Sequence, residues 1–168
     1  MAITTLKGHV SRAYDFYNKP NKYFGIGKTT PWDNEMTPPT PTINDDMVEV
    51  VGYKLIESLF MVIPDDNGEL VYRDTKWKIV PADQAYEKGA RWVYVSTHVS
   101  YTELTTNISY RQIGLYTNLE KAEGVPTGKS ILLPSEVGNP GILEVLDNRP
   151  PIYREADQRE QLVLIIEF

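Results

Sequence analysis

The chain has 168 residues, a net charge of −6, 41% hydrophobic and 24% charged residues, and no cysteine. That composition suits one folded domain, is too apolar for a disordered chain, and excludes disulfides, thiolate nucleophiles and every cysteine-bearing zinc or iron–sulfur site. With 17 Lys+Arg against 23 Asp+Glu, it lacks the basic face that duplex DNA demands, so no nucleic-acid partner is expected.

Surface scaling predicts a folded surface of about 8,400 Å², with about 70% of the unfolded chain's surface hidden. The apolar runs at 59–63 and 162–166 are five residues long, against about 20 for a membrane span, so no membrane is expected. Residues 1–9 carry no apolar block of signal-peptide length.

In chain order, residues 11–17 predict a short helix capped by Ser11 and closed before Asn18-Lys19-Pro20. Residues 23–28 predict a strand. Its Gly25 and Gly27 relieve the strand end or admit another backbone; they do not open a dinucleotide fingerprint, because Pro31-Trp32 bars the helix that must follow. Pro31, Pro38, Pro39 and Pro41 then put four prolines in eleven residues. Each restricts its predecessor, so residues 29–43 predict a polyproline-like extended arm lying across a surface.

Asn44 as N-cap, Asp45 and Asp46 in a first turn and Gly52 as a stop predict a second helix over 44–51. Strands are predicted over 54–63, 70–72 and 76–80, with Asp65-Asp66-Asn67-Gly68 as hairpin punctuation between the first two. Pro81 and Gly89 bracket a third helix over 81–88. Residues 91–101 alternate cleanly, with Val93, Val95, Thr97, Val99 and Tyr101 on one face and Trp92, Tyr94, Ser96, His98 and Ser100 on the other. Strands follow at 108–117 and 141–146, separated by a Gly-, Pro- and Ser-rich loop over 120–138. The last strand, 161–168, is apolar on both faces between Leu162 and Ile166, which predicts a place in the middle of a sheet.

Chemistry-bearing motifs are sparse. Gly124-Val125-Pro126-Thr127-Gly128-Lys129-Ser130 has three residues between its glycines where a phosphate loop has four, and Pro134 stops the helix such a loop must open. His9 and His98 are far apart and lack partners at metal-ligand spacing. No Gly-x-Ser-x-Gly occurs, and the pairs Asp45/Asp46 and Asp65/Asp66 sit where aspartate starts helices and turns. The expectation is no enzyme, no cofactor and no metal.

The remaining features carry a resemblance. Gly27-Lys28-Thr29-Thr30-Pro31-Trp32, then Pro38-Pro39-Thr40-Pro41, then residues 110–118 reading Tyr-Arg-Gln-Ile-Gly-Leu-Tyr-Thr-Asn, then Asp147-Asn148-Arg149-Pro150-Pro151-Ile152, Asp157-Gln158 and a final Phe168 occur in that order. Together they resemble the baseplate wedge subunit of contractile-tailed bacteriophages, the small wedge protein of T-even-type phages. The chain is considerably shorter than that subunit and lacks its large insertion between the arm and the Arg-Gln-Ile strand.

The resemblance implies a structural virion protein of the tail baseplate, made in the bacterial host cytoplasm. It implies pairing as a homodimer and binding to other wedge proteins during tail assembly and contraction. The fold expected is one mainly β, sandwich-like domain over 1–168, α+β at the margins, with two or three short helices and the proline-rich arm. Trp32, Pro38, Pro39 and Pro41 are the expected arm contacts. Arg111, Asn148 and Arg149 are expected to fix loops and strand ends or to pair within the chain, Arg149 through a buried ion pair or carbonyl clamp. Rival readings are a neck or tail-terminator protein, and a tail carbohydrate-binding module with Trp92 and Tyr94 as its platform.

Overall fold

The computed structural model describes residues 1–104 and 106–168. In chain order the elements are α1 (Leu6–Asn18), β1 (Tyr23–Gly27), β2 (Gly52–Leu55), β3 (Ser58–Pro64), β4 (Leu70–Tyr72) and β5 (Thr75–Val80). A 3₁₀ turn (Ala82–Gln84) leads into α2 (Ala85–Lys88), followed by β6 (Trp92–Val99), β7 (Ile108–Thr117), β8 (Glu120–Lys121) and β9 (Ile131–Leu132). A second 3₁₀ turn (Pro134–Glu136) precedes β10 (Val137–Asn139), β11 (Ile142–Arg154) and β12 (Glu160–Glu167). The mainly β expectation with short helices holds. The accessible surface, 9587 Å², exceeds the about 8,400 Å² that scaling gives for a compact chain of this mass.

The chain sorts into two compact units, one of Met1–Lys19, Glu57–Ser96 and Val163–Phe168, the other of Pro20–Ile56 and Thr97–Leu162. In the first, strands run in the order β12-β6-β3-β5-β4. Helix α1 packs on β3, burying Val10, Ala13 and Phe16, and the Phe16 ring lies 5.0 Å from that of Phe168. Thr5 caps this helix by accepting the Gly8 N–H at 3.2 Å, so it starts five residues before the predicted Ser11 cap. The third predicted helix forms as the 3₁₀ turn and α2, closed by Gly89 in the left-handed region at φ 64°.

The second unit holds a sheet ordered β11-β7-β1-β2-β9. β1 lies antiparallel between β2 and β7, with Gly25 directly opposite Gly114. Side chains from this sheet and its loops, Tyr23, Met47, Tyr53, Tyr116, Leu119 and Leu132, form a core. A small sheet pairs β10 with β8 inside the segment read from sequence as a loop.

Several expectations are corrected. Residues 44–51 form no helix. Their backbone bonds over long range instead: Val48 O accepts from Lys28 N and Val51 N donates to Ile26 O, both at 2.8 Å. The predicted strand 54–63 is two strands. It breaks at Ile56 and Glu57, whose N–H groups donate to Lys22 O and Ser96 O, and its halves pair with different neighbours. The Asp65–Gly68 turn closes with Gly68 N on Asp65 O at 2.8 Å, but the strands it joins do not pair, because β5 inserts between them. The tight hairpin is β4–β5, turned by Arg73 and Asp74 at φ 47° and 62°, the double positive φ of a type I′ turn made without glycine.

Strand 141–146 extends to Arg154, through Pro150 and Pro151. It is an edge strand with a register shift between Asn148 and Ile152, a setting that tolerates proline. Strand β12 also lies at a sheet edge, not in the middle. Its alternate residues Leu162 and Leu164 are buried, while Val163 and Ile165 are partly exposed, so apolarity on both faces does not reflect a neighbour on each side.

Candidate interaction site

Residues 29–43 contain neither helix nor strand, and they fold back on β7 and β11 of their own unit. Arg111, at the start of the Arg-Gln-Ile run on β7, is the anchor. Its Nε lies 2.7 Å from Glu35 Oε2 and its Nη2 2.5 Å from Oε1, and Nη1 donates to Thr29 O at 2.8 Å. This side-on fork is geometry that a guanidinium satisfies and an ammonium does not. The hydrogen bond from Arg111, joined by the Trp32 N–H, holds the Glu35 carboxyl below its usual range and outweighs the opposing effect of desolvation. The same bond raises the pKa of Arg111.

Trp32 is half-buried. Its indole Nε1 donates to Arg149 O at 2.9 Å, its N–H to Glu35 Oε2 at 3.2 Å, and Lys28 Nζ stands 5.0 Å from its ring centroid. Lys28 also meets Thr30 Oγ1 at 2.5 Å and Glu49 Oε2 at 3.9 Å. Glu49 accepts from the Thr30 N–H and hydroxyl, the first of which is the main cause of its lowered pKa. One chain of ionic contacts therefore ties the start of the arm to the segment after it.

Asn148 is a bridge. Its Nδ2 donates to Pro39 O at 2.9 Å, and its Oδ1 accepts from Gln112 Nε2 at 3.0 Å. Gln112 Oε1 accepts from Val48 N at 3.0 Å. Arg149 pairs with Asp147, Nε to Oδ2 at 2.7 Å; the pair is part-exposed and lies in the middle of β11, so it is not the buried pair expected. Of the expected residues, Trp32, Pro39, Arg111, Asn148 and Arg149 meet in this network. Pro38 and Pro41 are half-buried and Pro39 is exposed. A cavity of about 430 Å³ lies along the arm between Lys28, Trp32, Asn34 and Pro39. Met36 and Ile43 are fully exposed on its outer side.

Sequence reasoning missed the chain's most buried cation. Arg154 at the end of β11 is 2% exposed and donates to Leu104 O, Ser100 O, Glu103 O and Gln158 O at 2.7 to 3.2 Å. It is the carbonyl clamp that Arg149 is not. Beside it the buried Tyr110 hydroxyl donates to Glu160, and burial pushes that hydroxyl's pKa up. Lys54 and Glu103 form a second interior pair at 2.6 Å. Among the described residues, no group of three or more His, Asp or Glu stands where it would hold a metal ion, and no helix is long and apolar enough to cross a membrane.

The site is thus a loop held down by forked charge and side-chain-to-carbonyl bonds, with apolar side chains left outside. A family described as baseplate wedge 3 tail fiber network component matches residues 1–168. "Virion protein 3" of Enterococcus phage phiEF24C is 32% identical over 177 residues, covering 99% of this chain and 96% of that protein. The chain therefore belongs to the baseplate wedge 3 tail fiber network component family, a structural family of the phage tail baseplate.

Proposed function

We propose that this chain is a non-enzymatic connector of the phage baseplate, which pairs with a second copy and holds neighbouring wedge proteins in register through its 29–43 arm. The observation that carries the reading is the arm itself. It is fixed from beneath by Arg111, Asn148 and the Trp32 indole, and it presents Met36 and Ile43 outward. A pre-ordered segment docks with little further loss of conformational entropy. The full-length family match favours the baseplate over a neck or tail-terminator role.

The test is Trp32→Ala in phage particles. The purified chain is expected to stay folded while its incorporation into isolated baseplates falls. Normal incorporation together with a collapsed melting temperature would make Trp32 a core residue and overturn the arm as an interface.

A further inference from the structure

Asparagine is chemically labile, most of all before glycine. With no Cβ to shield it, the glycine nitrogen reaches the Asn carboxamide carbon and closes a five-membered succinimide. The chain has one such pair, Asn67-Gly68, in the turn between β3 and β4, where Asn67 is exposed. The baseplate role makes no use of it.

Asp65, Asp66, Asn67 and Gly68 form a type I turn. Gly68 N donates to Asp65 O at 2.8 Å, and neither central residue has a positive φ. The Asp65 carboxylate tightens the turn by accepting the Asn67 N–H at 2.8 Å. Both flanks are fastened to β5: Asp65 N donates to Lys76 O at 3.0 Å, and Ile79 N to Glu69 Oε1 at 3.1 Å. Gly68 lies so close to the Trp77 backbone that a Cβ would stand 2.3 Å from the Trp77 carbonyl carbon. Succinimide closure requires the Gly68 nitrogen to shed its proton. The electron pair left behind lies where the N–H lay, in the amide plane, and so points at Asp65 O rather than at Asn67 Cγ. Its negative charge would also form beside the carboxylates of Asp65 and Asp66, which oppose it.

We propose that Asn67-Gly68 is a site of spontaneous covalent modification latched by its own turn, and that the turn cannot house the isoaspartate product. When the turn opens, Gly68 N bonds to Asn67 Cγ, the Cγ–Nδ2 bond breaks and ammonia leaves. Water then opens the imide at one carbonyl to give aspartate or at the other to give isoaspartate. Isoaspartate routes the main chain through Cβ and Cγ, one carbon and about 1.5 Å longer. Gly68, pressed on Trp77, has no room to take up that length. The bond to Asp65 O is then lost, and β4, an edge strand held by β5, is freed. Opening of one surface turn thus becomes a permanent mark on the chain.

The experiment incubates the purified full chain at mildly alkaline pH, folded and in urea, and follows conversion by mass spectrometry. Trypsin releases residues 55–73 as one peptide with a single Asn and no Gln, so a change of amide to acid there reads Asn67 alone. Conversion is expected to be about tenfold slower or more in the folded chain, because reaction waits for local opening. Asp65→Ala, which removes the acceptor of the Asn67 N–H, is expected to convert about fivefold faster than wild type while folded, as the loss of one turn hydrogen bond implies. Asp65→Ser, which keeps a hydroxyl acceptor there, should stay closer to the wild-type rate. Equal rates in the folded and urea-unfolded wild-type chain overturn the latch, a comparison that needs no variant, and so does a folded Asp65→Ala chain that converts no faster. No conversion in urea overturns the site itself. In the isoaspartate fraction, amide exchange over 70–72 is expected to quicken by about tenfold or more; unchanged exchange overturns the claim that the turn cannot house the product.

Discussion

Arg111 and Glu35, 76 residues apart in sequence, meet through two parallel contacts, Nε to Oε2 at 2.7 Å and Nη2 to Oε1 at 2.5 Å. Because this bond lowers the carboxyl's folded pKa below its ordinary value of 4.5, the sign is fixed. The stabilising contribution is fully present above pH 4.5 and is lost as pH falls through the lower folded value. Below pH 4.5 the arm is expected to loosen, read as faster solvent exchange of the Trp32 indole proton that Arg149 O now accepts. Glu35→Gln should show that fast exchange already at pH 7, and Arg111→Lys should show it in part, since an ammonium cannot span both oxygens. Slow exchange in both variants at neutral pH would mean that the fork does not hold the arm.

Arg154 gathers carbonyls from 100–104 and from 158 around one guanidinium. Arg154→Met would leave those oxygens without their donor in a buried setting, at a cost of about 3 kcal/mol. For a chain of this size that corresponds to about 6–12 °C in melting temperature. Arg154→Lys should recover less than half, because one ammonium cannot reach four acceptors. Calorimetry of both variants checks this, and an unchanged melting temperature for Arg154→Met would show that the carbonyls find water instead.

What was legible in the sequence and what was not divides along the range of the interactions. Alternation over 91–101 is a local signal, and β6 forms inside it at Trp92–Val99; the strand read at 108–117 forms as β7 with those bounds. The 44–51 segment carries a good helix-start pattern, yet its Val48 and Val51 backbone groups bond to Lys28 and Ile26, which no local pattern announces. Asn67-Gly68 offered a hairpin, but the pairing strands are joined by Arg73-Asp74, two residues with no glycine to betray the positive φ. Trp32, Arg111 and Asn148 could be singled out from the sequence. Their partners could not, because Glu35 and Pro39 become neighbours only when the arm folds back. Arg154 was silent for the same reason: a carbonyl clamp is written in backbone positions, not in residue types.

Gly25 and Gly114 face each other across β1 and β7, and the space above them is filled by Met47. A Cβ at Gly114 would lie 2.4 Å from Met47 Sδ and 2.8 Å from Leu143 Cδ1. Of the two glycines read from sequence as admitting a backbone, Gly27 does, with Val48 O 2.6 Å from where its Cβ would lie, whereas Gly25 admits the side chains of Met47 and Tyr116. Gly114→Ala is expected to destabilise by about 1–3 kcal/mol through overpacking. In a Met47→Ala background the same change should cost less than about 1 kcal/mol, since the main clash is gone. Urea titration of the four chains gives the coupling, and additive costs would mean that Met47 already yields at no expense.

The C-terminal strand supplies the last prediction. β12 is an edge strand, and edge strands are often dispensable, but this one buries Leu162 and Leu164 and delivers Phe168 to the Phe16 ring. Its end is fastened twice more, by Phe168 N on Arg91 O at 3.0 Å and by Arg91 to Glu167 at 2.8 Å. Two buried leucines alone are worth about 3–6 kcal/mol, a large part of the about 5–15 kcal/mol by which a domain is stable. A chain ending at Glu160 is therefore expected to lose its cooperative melting transition. Phe168→Ala, which removes one ring and keeps the strand, should only lower the midpoint. If the shortened chain still melted cooperatively near the full-length temperature, the helix and the remaining strands of that unit would be self-sufficient, and the tail would be free to serve as another contact within the particle.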